Sequence, residues 1–426
     1  MKKTILLLLL TALLSACLLT ACNNPEDPEN TPDATETDFT PETQAPVGST
    51  EETEAETVAE TDPAKAELPD PSKYSFFQVF EAPKGDYRDA VLNYMREMAT
   101  VEWTPTEEWT TDHAPDTDRS LNLGHRYIVG KTYYGVPYAN TGNSLDGFTS
   151  LLKDGKFTPN SPYYTELVGN HCSSSMDRAF EQVLDINGFG GILPEWIPEQ
   201  LMYPEGSGIE APEGWTHDTT LIADHSGKDK MFAGYAGLGK GDILYYTAPS
   251  GGHTRMVAGV NIVKNADGST NYPRSTVTVI EQTNAWYTEE KNTTWFVDKK
   301  YTFSQLFNSG FIPVTLKAYH DESFVSPDAY IALSGENSAE KLKKNVISGT
   351  VFSNFSFSYV RVTITDSEGK IMDEWAEYRN VNKKSIGLRS VFFDIKSYPA
   401  GTYTFNLRAG IARGGCDIET IQFTID

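Results

Sequence analysis

The chain has 426 residues, 39% of them hydrophobic and 12% aromatic, and its formal net charge at pH 7 is −24. This apolar content suffices for folded cores and excludes a wholly disordered or collagen-like protein. A domain size of about 150 residues allows roughly three units. The acidic balance argues against nucleic acid as a partner, because phosphate binding needs a basic surface.

The N-terminus has the pattern of an export signal. Lys2 and Lys3 precede an apolar run that is too short for a confident membrane span and typical of a signal peptide. Two segments fit a bacterial lipobox: Leu14-Ser15-Ala16-Cys17 and Leu19-Thr20-Ala21-Cys22. We favour Cys22, because the chain turns polar directly after it; the alternative is an ordinary secretory signal cut near Ala21. Residues 1–22 are therefore predicted to be a lipoprotein signal peptide, with lipid on Cys22 and no mature transmembrane helix.

Residues 23–72 are predicted to be a disordered acidic linker. They contain 15 acidic residues against one basic residue, Lys65, and almost no large apolar side chains. Like charges repel and extend such a segment. The expected location is the extracellular face of the bacterial cell membrane, with the tether holding the folded part away from the lipid.

From residue 73 the composition is that of a folded protein. Apolar residues at helical spacing predict helices over about 86–99 and 176–184, the first capped by Asp86. Strands are predicted at 241–246, 254–263 and 275–282. Helices followed by strands without alternation predict an α+β body over 73–342. Residues 343–426 have strand-like runs about ten residues apart, which predict a small Ig-like β-sandwich.

Cys172 is the candidate nucleophile. It precedes the helix predicted at 176–184, and unpaired N–H groups at a helix start favour the thiolate and can hold an oxyanion. Two alternatives remain. Cys172 can be a buried inert residue, or an exported protein can pair it with Cys416 in a disulfide.

His253 and Glu281 are the candidate base and orienting group. His253 follows two glycines at a strand start, from which it can point into a cleft and shuttle a proton. A catalytic histidine needs a third group to fix its tautomer. Glu281, at the end of the next strand, is the first choice, with Asn284 and Gln282 as alternatives. The alternative is that His253 is a surface histidine and that Glu281 is a solvent-exposed acid.

Several segments, in order, resemble the NlpC/P60 and CHAP group of papain-like cysteine peptidases and amidases. They span about residues 120–310 and read Tyr134-Gly135-Val136-Pro137-Tyr138, Cys172-Ser173 before a helix, Gly241-Asp242-Ile243-Leu244-Tyr245-Tyr246 followed by His253, and Ile280-Glu281-Gln282. The chain departs from the group at His171, where Asp is commonest, at Thr254-Arg255-Met256 after the histidine, and at Thr283.

The resemblance implies a papain-like body in which the cysteine helix packs on an antiparallel sheet. It further implies cleavage of an amide in peptidoglycan stem peptides through a thioester, and Tyr138 as a residue that lines the cleft. The alternative for Tyr138 is a tyrosine of the core. Arg255 is expected on the His253 face, where it can bind a substrate carboxylate or pair with an acid of the body. A thiol acyltransferase and a non-catalytic binding lipoprotein are the alternatives.

No cofactor is expected. The protein is expected to be a monomer, and its expected partner is peptidoglycan or its peptides. Membrane contact is expected through the N-terminal lipid alone. One loop region holds two His-Asp neighbour pairs that could bind a divalent ion, but such pairs are common in solvated loops, so no metal is predicted. The pairs are His217-Asp218 and Asp224-His225.

Overall fold

The computed structural model describes residues 68–112, 124–139, 141–163, 167–186, 191–249, 251–378 and 383–426. The predicted signal peptide, its lipidation site Cys22 and nearly all of the predicted linker lie outside these ranges. Within them the fold is α+β, as predicted, with 21% helix and 34% strand. No helix of these segments is both long enough and apolar enough to cross a bilayer.

The helices of the described residues are short apart from the first. They are α1 (Tyr87–Thr100), α2 (Leu145–Thr149), α3 (Cys172–Phe180), α4 (Thr219–Ser226), α5 (Lys228–Ala236), α6 (Phe303–Asn308) and α7 (Ala339–Leu342). The Asp86 side chain caps α1 by accepting from Arg88 N, as predicted. The second predicted helix begins earlier than expected, at Cys172, and ends at Phe180. The apolar periodicity starts only at Met176 and therefore does not mark the first turn.

The strands carry most of the regular structure. They are β1 (Phe76–Phe80), β2 (Glu102–Pro105), β3 (Trp109–Thr110), β4 (Arg126–Tyr127), β5 (Tyr133–Tyr134), β6 (Leu152–Lys153), β7 (Lys156–Phe157), β8 (Leu201–Met202), β9 (Ile243–Ala248), β10 (Gly251–Asn261), β11 (Thr276–Gln282), β12 (Trp295–Thr302), β13 (Ile312–Leu316), β14 (Ala329–Ser334), β15 (Thr350–Ser353), β16 (Tyr359–Asp366), β17 (Ile371–Glu377), β18 (Ser385–Gly387), β19 (Gly401–Ile411) and β20 (Gly414–Ile425). The strands predicted near 241–246, 254–263 and 275–282 correspond to β9, β10 and β11.

A six-stranded antiparallel sheet organises the first core. Its order is β12-β11-β10-β9-β13-β8. Helices α1 and α3 contact each other, and both lie against β10 and β11. The helix that carries Cys172 therefore packs on the two strands that carry His253 and Glu281.

The Gly241-Asp242 turn ties the start of β9 to α1. Asp242 is buried and accepts hydrogen bonds from Arg88 Nη1 at 2.7 Å and from Thr315 Oγ1 at 2.6 Å. Gly241 has φ +79°, and a Cβ there would lie 3.1 Å from the Arg88 carbonyl oxygen. The turn thus needs glycine for both its backbone angle and its close approach to α1.

A second core lies between two four-stranded antiparallel sheets. Their orders are β1-β14-β15-β18 and β17-β16-β19-β20. Its buried residues include Ala329, Ile331 and Leu333 of β14 as well as residues beyond 343. Strands β1 and β14 lie before the predicted boundary at 343 and pair with each other, and β14 also pairs with β15, which lies after it.

Candidate active site

His171 caps the helix that begins with Cys172. Its Nδ1 accepts from Ser174 N at 3.4 Å, and its own N–H donates to Ser174 Oγ at 3.0 Å, so the two residues form a capping box. Burial lowers the pKa of His171 to about 4. The ring is therefore neutral near pH 7 and supplies an acceptor lone pair. This residue, where the resembling group commonly has Asp, performs the capping task of a carboxylate.

Cys172 is buried at the start of α3, with 1% of its surface exposed. Its sulfur is disulfide-bonded, and the partner lies outside the described residues. Cys416 is free and half-buried, and burial raises the pKa of its thiol to about 12. The Cys172–Cys416 pairing considered from the sequence is therefore not made. Any thiol chemistry at Cys172 requires that this disulfide be reduced or its partner be removed.

His253 sits near the start of β10, opposite Tyr246 of β9. A Cβ on Gly252 would lie 2.9 Å from the Tyr246 carbonyl oxygen, so glycine permits this close pairing. The His253 ring meets Phe311 edge-on, with 6.2 Å between ring centroids. It is 2% exposed. Burial lowers the pKa of His253, although the contact with Glu281 opposes the shift.

The two ring nitrogens of His253 have different surroundings. Nε2 lies 2.6 Å from Oε2 of Glu281, to which it donates a hydrogen bond. Nδ1 is buried and has no hydrogen-bond partner within the described part of the chain. A donor at Nε2 leaves Nδ1 as the lone-pair nitrogen of the neutral ring. The structure therefore joins His253 to Glu281 as predicted, whereas His253 and Cys172 are not hydrogen-bonded to each other.

Glu281 is the centre of a buried charge network. Its Oε2 also accepts from Arg255 Nε at 2.7 Å, and its Oε1 accepts from Tyr301 OH at 2.6 Å. Lys299 Nζ lies 3.7 Å from Oε1. Burial alone would raise the pKa of Glu281, but the Arg255 charge and the His253 contact bring it well below the ordinary value. The carboxylate is therefore ionised and can stabilise a protonated His253.

Arg255 shares the sheet face of His253, as predicted, since both reach the same oxygen of Glu281. Its guanidinium carbon lies 3.7 Å from the Tyr301 ring centroid and 4.0 Å from that of Phe311. Of the two roles considered from the sequence, the structure shows the ion pair with an acid of the body. A substrate-binding role for this buried group stays a prediction.

The two alternative orienting residues make other contacts. Gln282 Nε2 donates to the Val136 carbonyl oxygen at 2.8 Å. The backbone oxygen of Asn284 accepts from His125 Nε2 at 2.7 Å. Among the described residues, Glu281 is the group that hydrogen-bonds to His253.

Tyr138 is buried beside the segment that leads into the cysteine helix. It forms a parallel bridge with Asn170, and its ring meets His125 edge-on. This position matches the core interpretation of Tyr138, and lining of a cleft stays a prediction. The structure adds His125, whose Nδ1 is buried without a hydrogen-bond partner among the described residues. Nothing in the spacing of the sequence singles out this histidine.

Tyr301 and Lys299 are two further site residues that sequence reasoning did not identify. They are two residues apart on β12, so both side chains lie on one face of the strand. The sequence does not show that this face meets Glu281, because that depends on the pairing of β12 with β11. No group of three or more His, Cys, Asp or Glu in the described ranges could hold a metal ion. Asp218, which belongs to one of the two His-Asp neighbour pairs, caps α4 by accepting a hydrogen bond from Thr220 N.

Comparison with protein-family models, with curated proteins and with solved structures finds no match to this chain. A functional conclusion therefore depends on the chemistry of the site itself and on the sequence features described above.

Proposed function

We propose that the protein is a surface-anchored cysteine hydrolase of papain-like fold that cleaves an amide bond in peptidoglycan stem peptides. The observation that carries the proposal is the hydrogen bonding of the two ring nitrogens of His253. Glu281 accepts a hydrogen bond from its Nε2–H, and the lone pair of Nδ1 is buried with no donor among the residues that the structure describes. A buried polar atom without a partner needs an explanation, and a catalytic role is one of those that apply. A base of this kind, on a strand against which a cysteine-bearing helix packs, suits acyl transfer.

The proposed reaction begins with the reduced protein. Nδ1 of His253 takes the proton of the Cys172 thiol, and the sulfur attacks the carbonyl carbon of the amide. Backbone N–H groups at the start of α3 stabilise the oxyanion. The protonated ring then gives its proton to the leaving amine as the C–N bond breaks. Water, deprotonated by Nδ1, hydrolyses the thioester and restores the thiol, while Glu281 stays ionised throughout.

The four cysteines of the chain are Cys17, Cys22, Cys172 and Cys416, and Cys416 is free. The proposed cleavage before Cys22 and lipidation of its sulfur would therefore release Cys172 from its disulfide. In the unprocessed chain, a dithiol reductant supplies the two electrons and two protons that convert the disulfide to two thiols, so we expect the activity of that chain to depend on prior reduction.

The substrate class is supported by the N-terminal pattern and by the resemblance to cell-wall enzymes. A lipid on Cys22 and an extended acidic tether would hold the folded part within reach of the wall. We also propose that the β-rich residues 343–426 form an Ig-like β-sandwich.

The test is a digest of peptidoglycan by the full chain, with and without dithiothreitol, with soluble fragments read by mass. The reduced parent and the matched control Cys416→Ala should release the same fragments, and Cys172→Ala should release none. Fragments attached to an added amine would assign the transferase alternative. Equal release by Cys172→Ala and parent would contradict the proposal.

A non-catalytic binding lipoprotein is the second candidate. It is favoured by the burial of Cys172, His253 and Glu281, each at most 2% exposed. Co-sedimentation with peptidoglycan that is unchanged by reduction and by Cys172→Ala, without fragment release, would support it.

A further inference from the structure

The hairpin formed by β19 and β20 of the second core reaches the end of the cysteine helix. Arg413 lies in its turn, and its Nε and Nη2 donate to the carbonyl oxygens of Gln182 at 3.0 Å and Val183 at 3.1 Å. These two residues directly follow α3 and its C-cap Glu181. In return, Gln182 Nε2 donates to the Ala412 carbonyl oxygen at 2.8 Å.

Arg413 also fixes the chain that leads into β14. Its Nη1 donates to the Pro327 carbonyl oxygen at 2.6 Å, and its Nη2 to Ser326 Oγ at 2.8 Å. The guanidinium carbon lies 4.4 Å from the ring centroid of Phe355. A planar guanidinium that donates to several carbonyls fixes backbone positions, a task that the point charge of lysine cannot reproduce.

A second arginine of the same hairpin, Arg408, contacts α2, the helix that precedes the cysteine helix in the chain. Arg408 Nη2 donates to Asp146 Oδ1 at 2.7 Å, and Tyr359 OH donates to the other oxygen of Asp146 at 2.6 Å. Asp146 lies in the first turn of α2. The segment just before α2 is bonded to α3, since the Gly142 carbonyl oxygen accepts from Arg178 Nε at 2.9 Å.

The same segment also reaches the first turn of the cysteine helix. The Ser174 hydroxyl lies 3.1 Å from the Thr141 carbonyl oxygen. Ser174 forms the capping box with His171, the residue before Cys172. The hairpin is therefore connected to α3 both beyond its last residue and, through the segment before α2, at its first turn.

We propose that the β19–β20 hairpin positions the cysteine helix, with Arg413 and Arg408 as positioning residues. The consequence for catalysis rests on the proposed function, but the positioning itself does not. The C-terminal sheets are then part of the hydrolase and not a removable spacer. Displacement of α3 would move Cys172, its first residue, relative to His253 on β10, whose protonated ring would favour the thiolate.

The experiment compares Arg413→Ala with Arg389→Ala, an exposed arginine of the same region as a matched control. The reduced full chain is alkylated with iodoacetamide across a pH series, and modification of Cys172 is read by peptide mass. We expect Arg413→Ala to move the midpoint of the Cys172 profile to higher pH and to change the rate near pH 7 about fivefold or more. Arg389→Ala should follow the parent within about twofold, and Arg413→Lys should fall between.

Superimposable profiles for Arg413→Ala and Arg389→Ala would overturn the positioning role. Should Arg413→Ala fail to fold, Arg408→Gln takes its place, because it removes the guanidinium that donates to Asp146; an unchanged Cys172 profile in that variant would equally overturn the proposal. A shifted profile in a chain that releases no peptidoglycan fragments would retain the positioning role and reject the hydrolase. Fragment release with an unshifted profile would do the reverse.

Discussion

Replacing Glu281 with glutamine removes the charge at the centre of the candidate site. The carboxylate is fully buried and accepts from His253, Arg255 and Tyr301. Glutamine keeps the shape, but it leaves the buried Arg255 without its hydrogen-bonded counter-ion and turns one acceptor into a donor. Removing one partner of a buried ion pair costs about 3–5 kcal/mol. We expect Glu281→Gln to lower the free energy of unfolding by that amount.

Urea unfolding of parent and variant measures this loss. Glu108→Gln is the matched control, since Glu108 pairs with Arg126 at the surface, where the two side chains are 52% and 73% exposed. Exposed pairs contribute about 0–1 kcal/mol, so the control should unfold almost as the parent does. A loss for Glu281→Gln no larger than for Glu108→Gln would refute the argument that the network is a buried, ionised one.

The pH dependence of the same difference follows from the depressed pKa of Glu281. A carboxyl group whose pKa is lower in the folded state adds stability above its unfolded pKa, near 4.3, and loses it as the pH falls toward the folded pKa. The difference between parent and Glu281→Gln should be constant from about pH 8 to about pH 6 and should shrink below about pH 5. A difference that grows on acidification would contradict this assignment.

Three further changes test the surroundings of the site by urea unfolding. The parent should lose stability as the pH falls from about 6.5 to about 4, because His171 binds a proton in the unfolded chain but not in the buried site. His171→Asn keeps a capping acceptor and should not show this loss; an unchanged pH dependence would contradict this. Gly241→Ala should cost about 1–3 kcal/mol, because φ is +79° and the Arg88 carbonyl is close; a neutral effect would reject the need for glycine. Tyr301→Phe removes a donor to an ionised group and should cost about 1.5–3 kcal/mol; a parent-like midpoint would show that the bond contributes nothing.

Local patterns predicted much of the body. Helix α1, its Asp86 cap and strands β9 to β11 follow from apolar periodicity and turn residues. The contact of His253 with Glu281 also followed from strand order and alternation, because neighbouring antiparallel strands bring residues of one face together. The early start of α3 did not follow, because its first turn is polar and its cap is a histidine, which gives no common capping signal.

Composition, periodicity and local capping determined the acidic N-terminal region, the α+β class, the main elements of the first core and the candidate pair His253 and Glu281. These features depend on residues close together in the chain or on adjacent strands. The tertiary structure alone decided that Cys416 is not paired with Cys172, that Tyr301 donates to Glu281, and that Arg413 reaches the end of the cysteine helix. Such contacts join residues that are distant in the chain, and a sequence carries no local signal for which distant groups will meet.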